Sequence, residues 1–196
     1  MDHPTLLFPV GHLLGSIYYG PTEDSVRFIV RIGLADVDLT AEEYVVWTYA
    51  HGVPGEVDDT AWTRRATEDA ARTATLADPA TACEQLLSKG LLQEVRTGTG
   101  DVARFAGAHQ LHPLLPGLGN SLTEPAAYGI GTPDDPAVLV TLSTYQLWSH
   151  AHLEPSLWQA CARSAEDDPG EIADGFLRVL HGLLAVNAAY LDVVTS

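Results

Sequence analysis

Two similar stretches organise the chain, YVVWTYAH at residues 44–51 and YQLWSHAH at residues 145–152. In each of them a tyrosine, a tryptophan and an alanine stand three residues apart, a spacing that places them on one face of a helix. Other landmarks recur in the same order around the two stretches, so that the two halves of the chain can be aligned. The matched pairs are Ile32-Gly33 with Ile130-Gly131, Trp62 with Trp158, Asp78-Pro79 with Asp168-Pro169, and Gly90-Leu91-Leu92 with Gly182-Leu183-Leu184. These matches predict a duplicated small domain; the alternative is chance resemblance in a chain rich in alanine and leucine.

Local signals in the first half predict two strands, three helices and a closing hairpin. Residues 26–32 are β-branched and aromatic, which suits a strand. Thr40 and Glu43 have the spacing of a capping box, so a helix is expected to begin at Thr40, and Gly52 is placed to end it. The other predicted elements are a short strand at 37–39, a second helix after Asp59, a third helix from Asp78 to Gly90, and a wing formed by a hairpin of 91–95 with 102–105.

The second half repeats these signals without a wing. Residues 137–142 predict a strand, and Ser143 with Gln146 again has the spacing of a capping box. The last helix is expected to run on through Asn187, and the glycine- and proline-rich residues 106–131 are expected to connect the halves. The predicted domains are residues 1–106, winged-helix-like with N-terminal strands and a wing, and residues 107–196, winged-helix-like with an extended C-terminal helix. The predicted fold class is therefore α+β, mainly helical, with tandem winged-helix-like domains.

The charge of the chain restricts its partners. Of its 196 residues, 26 are acidic and 10 are lysine or arginine, which gives a net charge of −16. A protein that binds nucleic acid gains affinity from lysine and arginine at the phosphates, so nucleic acid is disfavoured and a basic partner is favoured. No apolar run approaches the about 20 residues of a membrane span, and the N-terminus lacks the positive region of a signal peptide. We therefore expect a cytoplasmic protein without a membrane segment, in which Cys83 and Cys161 are reduced core residues.

No motif of a known catalytic chemistry stands out. His109 and His112 have a spacing that can share a metal ion on a helix, but Pro113 disfavours a regular helix there. His150 and His152 point in nearly opposite directions on a helix and cannot share an ion. We therefore predict no metal, no cofactor and no catalytic residue. An enzyme whose site is assembled from residues such as His109, His112 or His152 is kept as the least favoured hypothesis.

The order of the predicted elements in the first half resembles a PqqD-like domain, the peptide-recognition domain found in the biosynthesis of ribosomally made, modified peptides. The resemblance rests on a strand, a turn and a second strand before a capped helix that ends in His51-Gly52. It also rests on a third helix that ends in LLSKGLL at residues 86–92. It covers residues 26–95 and, more loosely, residues 128–185. The duplication and the lack of a fused catalytic domain depart from the family pattern.

The resemblance implies a way of binding. In PqqD-like domains a leader peptide adds a strand to the edge of the sheet and packs against the third helix. In this chain that implies a partner-binding site formed by Val37 and Leu39 of the short strand with Gln85 and Leu86 of the third helix. The leading hypothesis is thus a non-catalytic adaptor that binds a peptide or protein segment, such as a precursor peptide or a partner enzyme in peptide natural-product biosynthesis.

Two other functions remain open at this point. A winged-helix transcription regulator would contact DNA through the arginines of the second helix and of the wing, which are Arg64, Arg65, Arg72 and Arg96. An acidic tandem winged-helix protein is also similar in architecture to the structural subunits of chromosome-maintenance complexes. A homo-oligomer is compatible with each of these functions.

Overall fold

The computed structural model describes residues 3–20, 26–164 and 168–195 and shows an α+β fold. The prediction that the chain has no signal peptide rests in part on Met1 and Asp2, which lie outside the described residues. The strands are β1 (Thr5–Pro9), β2 (His12–Tyr18), β3 (Val26–Ile32), β4 (Ala35–Leu39), β5 (Leu92–Arg96), β6 (His109–Pro113), β7 (Gly117–Gly119), β8 (Tyr128–Thr132), β9 (Asp135–Val140) and β10 (Ala189–Val193). The helices are α1 (Ala41–Tyr49), α2 (Arg64–Thr73), α3 (Pro79–Ser88), α4 (Gly100–Ala108), α5 (Leu142–His150), α6 (Leu157–Ser164) and α7 (Pro169–Leu184).

The two halves of the chain follow the same order of elements. Each half begins with a strand, continues with a three-stranded antiparallel sheet and three helices, and ends with a strand that returns to pair with the first. In the first half these are the ribbon β1–β5 and the sheet β2-β3-β4. In the second half they are the ribbon β6–β10 and the sheet β7-β8-β9. Helix α4 precedes the second set and packs on α6 and α7.

The two halves also use the same local devices. Thr40 caps α1 in a complete capping box with Glu43, and Thr141 caps α5 through the backbone N–H of Thr144. The third helix of each half ends at a residue with positive φ, Gly90 after α3 and Asn187 after α7. The residue after each of them donates its backbone N–H to a carbonyl in the last turn of the helix, as a helix C-cap requires. These hydrogen bonds run from Leu91 to Leu86 and from Ala188 to Leu183.

Several sequence predictions for single elements are wrong. Residues 102–105 do not form the second strand of a wing, because Thr99 caps a helix there and Val102 and Phe105 face the second core. Helix α7 ends at Leu184 and does not run on through Asn187. It is longer than α3, but its extra turns lie at its N-terminal end, because the C-terminal caps of the two helices correspond.

The second half differs from the predictions in its strands as well. Residues 106–131 are not only a connection, since they hold β6, β7 and most of β8. The capping residue of α5 is Thr141 and not Ser143. Gly182 lies inside α7 and does not correspond to Gly90, so that pair of landmarks was misaligned.

The ribbon β1–β5 is buried on both of its faces. Leu6 and Phe8 of β1 belong to the core of the second half, together with Val95 of β5. Leu7, which points to the opposite face, belongs to the core of the first half, together with Leu92. Because successive side chains of a strand alternate between faces, a single ribbon closes both cores.

The ribbon β6–β10 meets the first half through a polar and aromatic face. The ring of Tyr190 lies between the rings of His12 and His112, with centroid distances of 4.7 and 4.8 Å. Arg31 donates a hydrogen bond of 3.2 Å to the hydroxyl of Tyr190. Asp192 accepts a hydrogen bond of 2.7 Å from the backbone N–H of Gly33, in the turn between β3 and β4. The contacts between the halves therefore include an apolar one at β1–β5 and a polar one at β6–β10.

His181 of α7 lies at the apolar contact. Its Nε2 donates to the backbone carbonyl of Leu7 at 2.9 Å, and its ring stacks on Phe8 with a centroid distance of 4.7 Å. Burial lowers its pKa from 6.5 to about 4. Burial also lowers the pKa of His51, at the end of α1, to about 4. Both imidazoles are thus uncharged in the folded protein at neutral pH.

We predict that the protein loses stability as the pH falls from 6.5 to 4, and that His181→Gln loses less over the same range. The folded pKa of His181 is below its unfolded value, so its contribution is complete above the unfolded pKa of 6.5 and is lost as the pH falls towards about 4. Urea unfolding at several pH values measures the effect. His150→Gln, at an exposed position of α5, is the control. Parallel stability curves for wild type and His181→Gln would contradict the assignment.

Candidate peptide-binding grooves

Each three-stranded sheet ends in a strand whose outer edge has no strand partner among the described residues. Each sheet has two such edge strands, which are β2 and β4 in the first half and β7 and β9 in the second. An unpaired edge presents backbone N–H and C=O groups that can pair with another extended chain. Lys89, which follows α3, reaches β4, and residues of α7 and β9 line one cavity. We call the space beside them the first groove (β4 and α3) and the second groove (β9 and α7).

Lys89 covers the first groove. Its ammonium group donates to the backbone carbonyl of Asp38 at 3.4 Å and to the carboxylate of Glu43 at 2.5 Å. Glu43 is only 2% exposed, and its other oxygen accepts from the backbone N–H of Thr40 in the capping box. Lys89 is the only lysine of the chain, and it occupies a hydrogen-bond acceptor of the edge strand. A segment that adds to β4 must displace this ammonium group from a buried carboxylate.

The four residues predicted to form the partner-binding site lie on two elements, Val37 and Leu39 on β4 and Gln85 and Leu86 on α3. Val37 is half-buried and Gln85 is exposed. Leu39 and Leu86 are fully buried in the core of the first half, so their side chains do not face a partner. The site stays a prediction, and two of its four side chains are inaccessible.

The second groove is open and apolar. It contains a cavity of about 360 Å³ between β9, the start of α5, and α7. Leu139 of β9 is 55% exposed and Val179 of α7 is 50% exposed, and both line it together with Val138 and Val140. Side chains of this size are normally buried, and a contiguous exposed group of them indicates an interaction site.

Corresponding positions explain why one groove is covered and the other open. The strand pairs Val30–Val37 and Ile130–Val138 correspond, so that Asp38 of the first half matches Leu139 of the second. Three residues after the capping threonine, Glu43 is replaced by Thr144. One residue before the positive-φ cap, Lys89 is replaced by Val186. The second half thus has threonine and valine in place of the ion pair, and Leu139 in place of Asp38.

Helix α7 adds a second difference. Leu86 and Leu183 are equivalent, because each accepts the backbone hydrogen bond that closes its helix. The preceding residues, Gln85 and Gly182, are therefore equivalent too. Gly182 lies in the second groove and leaves room beside Asp58, which reaches it from the loop between α1 and α2. A Cβ atom at Gly182 would be 3.9 Å from a carboxylate oxygen of Asp58, which is an ordinary contact.

The second groove was missed by sequence reasoning. The exchange of Asp38 for Leu139 is visible once the repeats are aligned on their capping threonines. The exchange of Gln85 for Gly182 was hidden by the misalignment of Gly182 with Gly90. The contribution of Asp58 depends on the packing of a loop of one half against a helix of the other, which no local pattern indicates.

The arginines proposed for DNA binding are mostly engaged with acidic side chains. Arg64 forms ion pairs with Glu68 and Glu84, Arg65 with Asp69, and Arg72 with Glu68 and Asp69. Arg96 is exposed on β5, and there is no wing beside it because α4 follows. The positive charge of α2 is thus balanced within the helix and by α3, and these residues do not form a cationic surface for phosphates.

The histidines considered for an enzyme site are held by separate packing contacts. His109 is buried, stacks on Phe105 and hydrogen-bonds to its carbonyl through Nδ1 at 2.8 Å. His112 stacks on Tyr190 at the seam between the halves. His152 has a buried Nδ1 without a hydrogen-bond partner in the described structure. Among the described residues no group of three or more histidine, cysteine, aspartate or glutamate side chains is arranged to hold a metal ion.

The two cysteines are buried and far from reactive. Burial raises the pKa of the Cys83 thiol to about 11 and that of the Cys161 thiol to about 12. Both remain protonated at neutral pH and act as small core residues. No helix in the described part of the chain has both the length and the hydropathy of a membrane span.

Comparison with other proteins adds no relative. No model of a protein family, no curated protein and no solved structure matches this chain.

We predict that Lys89→Met lowers the free energy of unfolding by about 1–3 kcal/mol, because it leaves the buried Glu43 carboxylate without its ammonium partner. Glu43→Gln in the same protein removes the unpaired charge and keeps an oxygen for the backbone N–H of Thr40. The double variant should therefore lose less free energy of unfolding than the two single variants lose in total, as measured by urea unfolding. Additive effects would show that the two side chains do not interact.

Proposed function

We propose that this protein is a non-catalytic adaptor that binds an extended peptide or protein segment by strand addition. The observation that carries the proposal is the pair of sheet edges, β4 and β9, each of which ends its sheet and lies beside the third helix of its half. In strand addition the backbone of the segment forms the ladder of hydrogen bonds, and pockets beside the edge select its alternate side chains.

Other features support a role in binding. The chain carries a net charge of −16, which attracts a basic partner over a distance and repels nucleic acid. Among the described residues, no group of three or more histidine, cysteine, aspartate or glutamate side chains is arranged to hold a metal ion. The second groove exposes large aliphatic side chains at a sheet edge, where a soluble protein usually places charged residues.

We further propose that each half derives from one small unit of the PqqD-like or winged-helix-like type. The order of a three-stranded sheet followed by three helices supports this relation, although each half closes with a returning strand and without a wing. A segment of a precursor peptide, or of a partner enzyme in peptide natural-product biosynthesis, is the kind of occupant that such a unit would take. A subunit role in a chromosome-maintenance complex would use the same edges to hold a segment of another subunit.

We expect labelled peptides of about eight residues, with alternating apolar and polar side chains, to bind the full chain and to slow amide exchange in β4 or β9. Fluorescence anisotropy measures the affinity, and hydrogen exchange followed by mass spectrometry locates the site. The matched control is the same peptide with proline at alternate positions, which cannot donate to the sheet and should bind far more weakly. Failure of every peptide to bind, or protection confined to regions away from both edges, would refute strand addition.

A further inference from the structure

We infer that the two halves have divided their roles: the second groove binds the segment, and the first groove is closed by its own lysine. The segment that fits the second groove is extended, carries aliphatic side chains at alternate positions, and has a lysine or arginine placed to meet Asp58. This inference rests on the proposed function, since it assigns strand addition to one of two equivalent edges and specifies the chemistry of the partner.

The apolar part of the segment follows from the walls of the groove. Val138 and Val140 lie half-buried on β9, and Val179 faces them from α7 across a cavity of about 360 Å³. Strand β9 has six residues, so an added strand of similar length turns every second side chain towards α7. Aliphatic side chains at those positions would remove the exposed surface of Val179 from water, and the side chains between them would lie beside Leu139 on the opposite face of β9.

The charge of the segment follows from the groove's rim. Among the described residues, those that line the cavity include Asp58, whose carboxylate lies beside Gly182, and no lysine or arginine. Asp134 and Asp135, at the beginning of β9, are exposed acidic residues at one end of the edge strand. Because the whole chain is also strongly acidic, a cationic side chain is attracted to this edge, whereas an acidic segment is repelled.

The first groove differs from the second in what an incoming strand would have to displace. An incoming strand must there separate Lys89 from Glu43 and from the carbonyl of Asp38, which leaves a carboxylate that is 2% exposed without its ammonium partner. It also meets Asp38 at the position where the second groove has Leu139. The same fold thus presents two equivalent edges, one covered and polar and the other open and apolar.

A second copy of this chain is the competing occupant, because an open edge can also pair with itself. Two β9 edges side by side would bring Asp134 and Asp135 of one copy close to the acidic rim of the other. In a chain with a net charge of −16 this repulsion opposes self-association. The charge distribution therefore favours a basic segment over a second copy.

The test uses the full-length chain and fluorescein-labelled peptides of about eight residues with alternating valine and threonine, ending in lysine or in glutamate. Leu139→Lys and Gly182→Gln change the second groove, the latter by introducing the residue found at the equivalent position of the first half. Asp38→Lys is the matched control, because it makes the corresponding change on the edge of β4. Circular dichroism and urea unfolding check that each variant is folded.

We expect Leu139→Lys and Gly182→Gln to weaken binding of the lysine peptide by about tenfold or more, and Asp38→Lys to leave it unchanged. Asp58→Asn should reduce the preference for the lysine peptide over the glutamate peptide. Binding that is lost in Asp38→Lys and kept in Leu139→Lys would overturn the inference while leaving strand addition intact. Absence of binding to wild type by every peptide would instead overturn the proposed function. A wild-type dimer that Leu139→Lys converts to a monomer, measured by analytical ultracentrifugation, would assign the groove to a second copy and overturn the inference.

Discussion

A two-stranded ribbon that is buried on both faces holds this molecule together. Leu6 and Phe8 of β1 point into the core of the second half, and Leu7 between them points into the core of the first. An isolated two-stranded ribbon is marginally stable in water, so β1–β5 gains its stability from the two cores that it separates. Neither core is complete without it. The two halves therefore repeat the same order of elements, but they are not structurally independent of each other.

The corresponding ribbon of the second half shows how the repeats have diverged. In β6–β10 the face that meets the other half carries Gln110, His112, Tyr190 and Asp192, where the first ribbon carries leucine, phenylalanine and valine. The apolar contact fixes the two cores to each other, and the polar contact holds the turn after β3 through Asp192. The same divergence recurs at the sheet edges, where an ion pair in the first half is replaced by aliphatic and hydroxyl side chains in the second. An ion pair therefore lies at the edge of β4 in the first half, whereas the corresponding edge of β9 in the second half exposes Leu139.

The sequence predicted those elements that local chemistry defines. The strand at 26–32 and the helix capped by Thr40 and Glu43 were predicted as they occur, because β-branched residues and a capping box act over a few residues. The run LLFPV at 6–10 is a signal for a strand buried on both faces, but no strand was predicted from it. The strands β7 and β8 are rich in glycine, which is disfavoured in strands, and therefore carry no such signal.

Other features could not be predicted because they depend on tertiary packing. Residues 102–105 suit a strand or a helix, and the contacts of Phe105 with Phe8 and with the second core favour the helix. The exposure of Val179 cannot be inferred from an apolar residue of a helix that has both buried and exposed positions. The partner-binding site predicted from the sequence lies in the first half and stays a prediction. It was made without Lys89, whose role is visible only from its distances to Asp38 and Glu43.

The central claim is that one ribbon stabilises both halves, and Phe8→Ala tests it most directly. Removal of this fully buried ring should cost about 3–5 kcal/mol. Native-state hydrogen exchange of the variant would show how the loss is distributed. We predict that the slowest amides of α3, in the first half, and of α7, in the second, lose the same amount of protection, because both exchange through unfolding of the whole molecule. Loss of protection in α7 with α3 unchanged would contradict the claim and show that the two cores unfold independently.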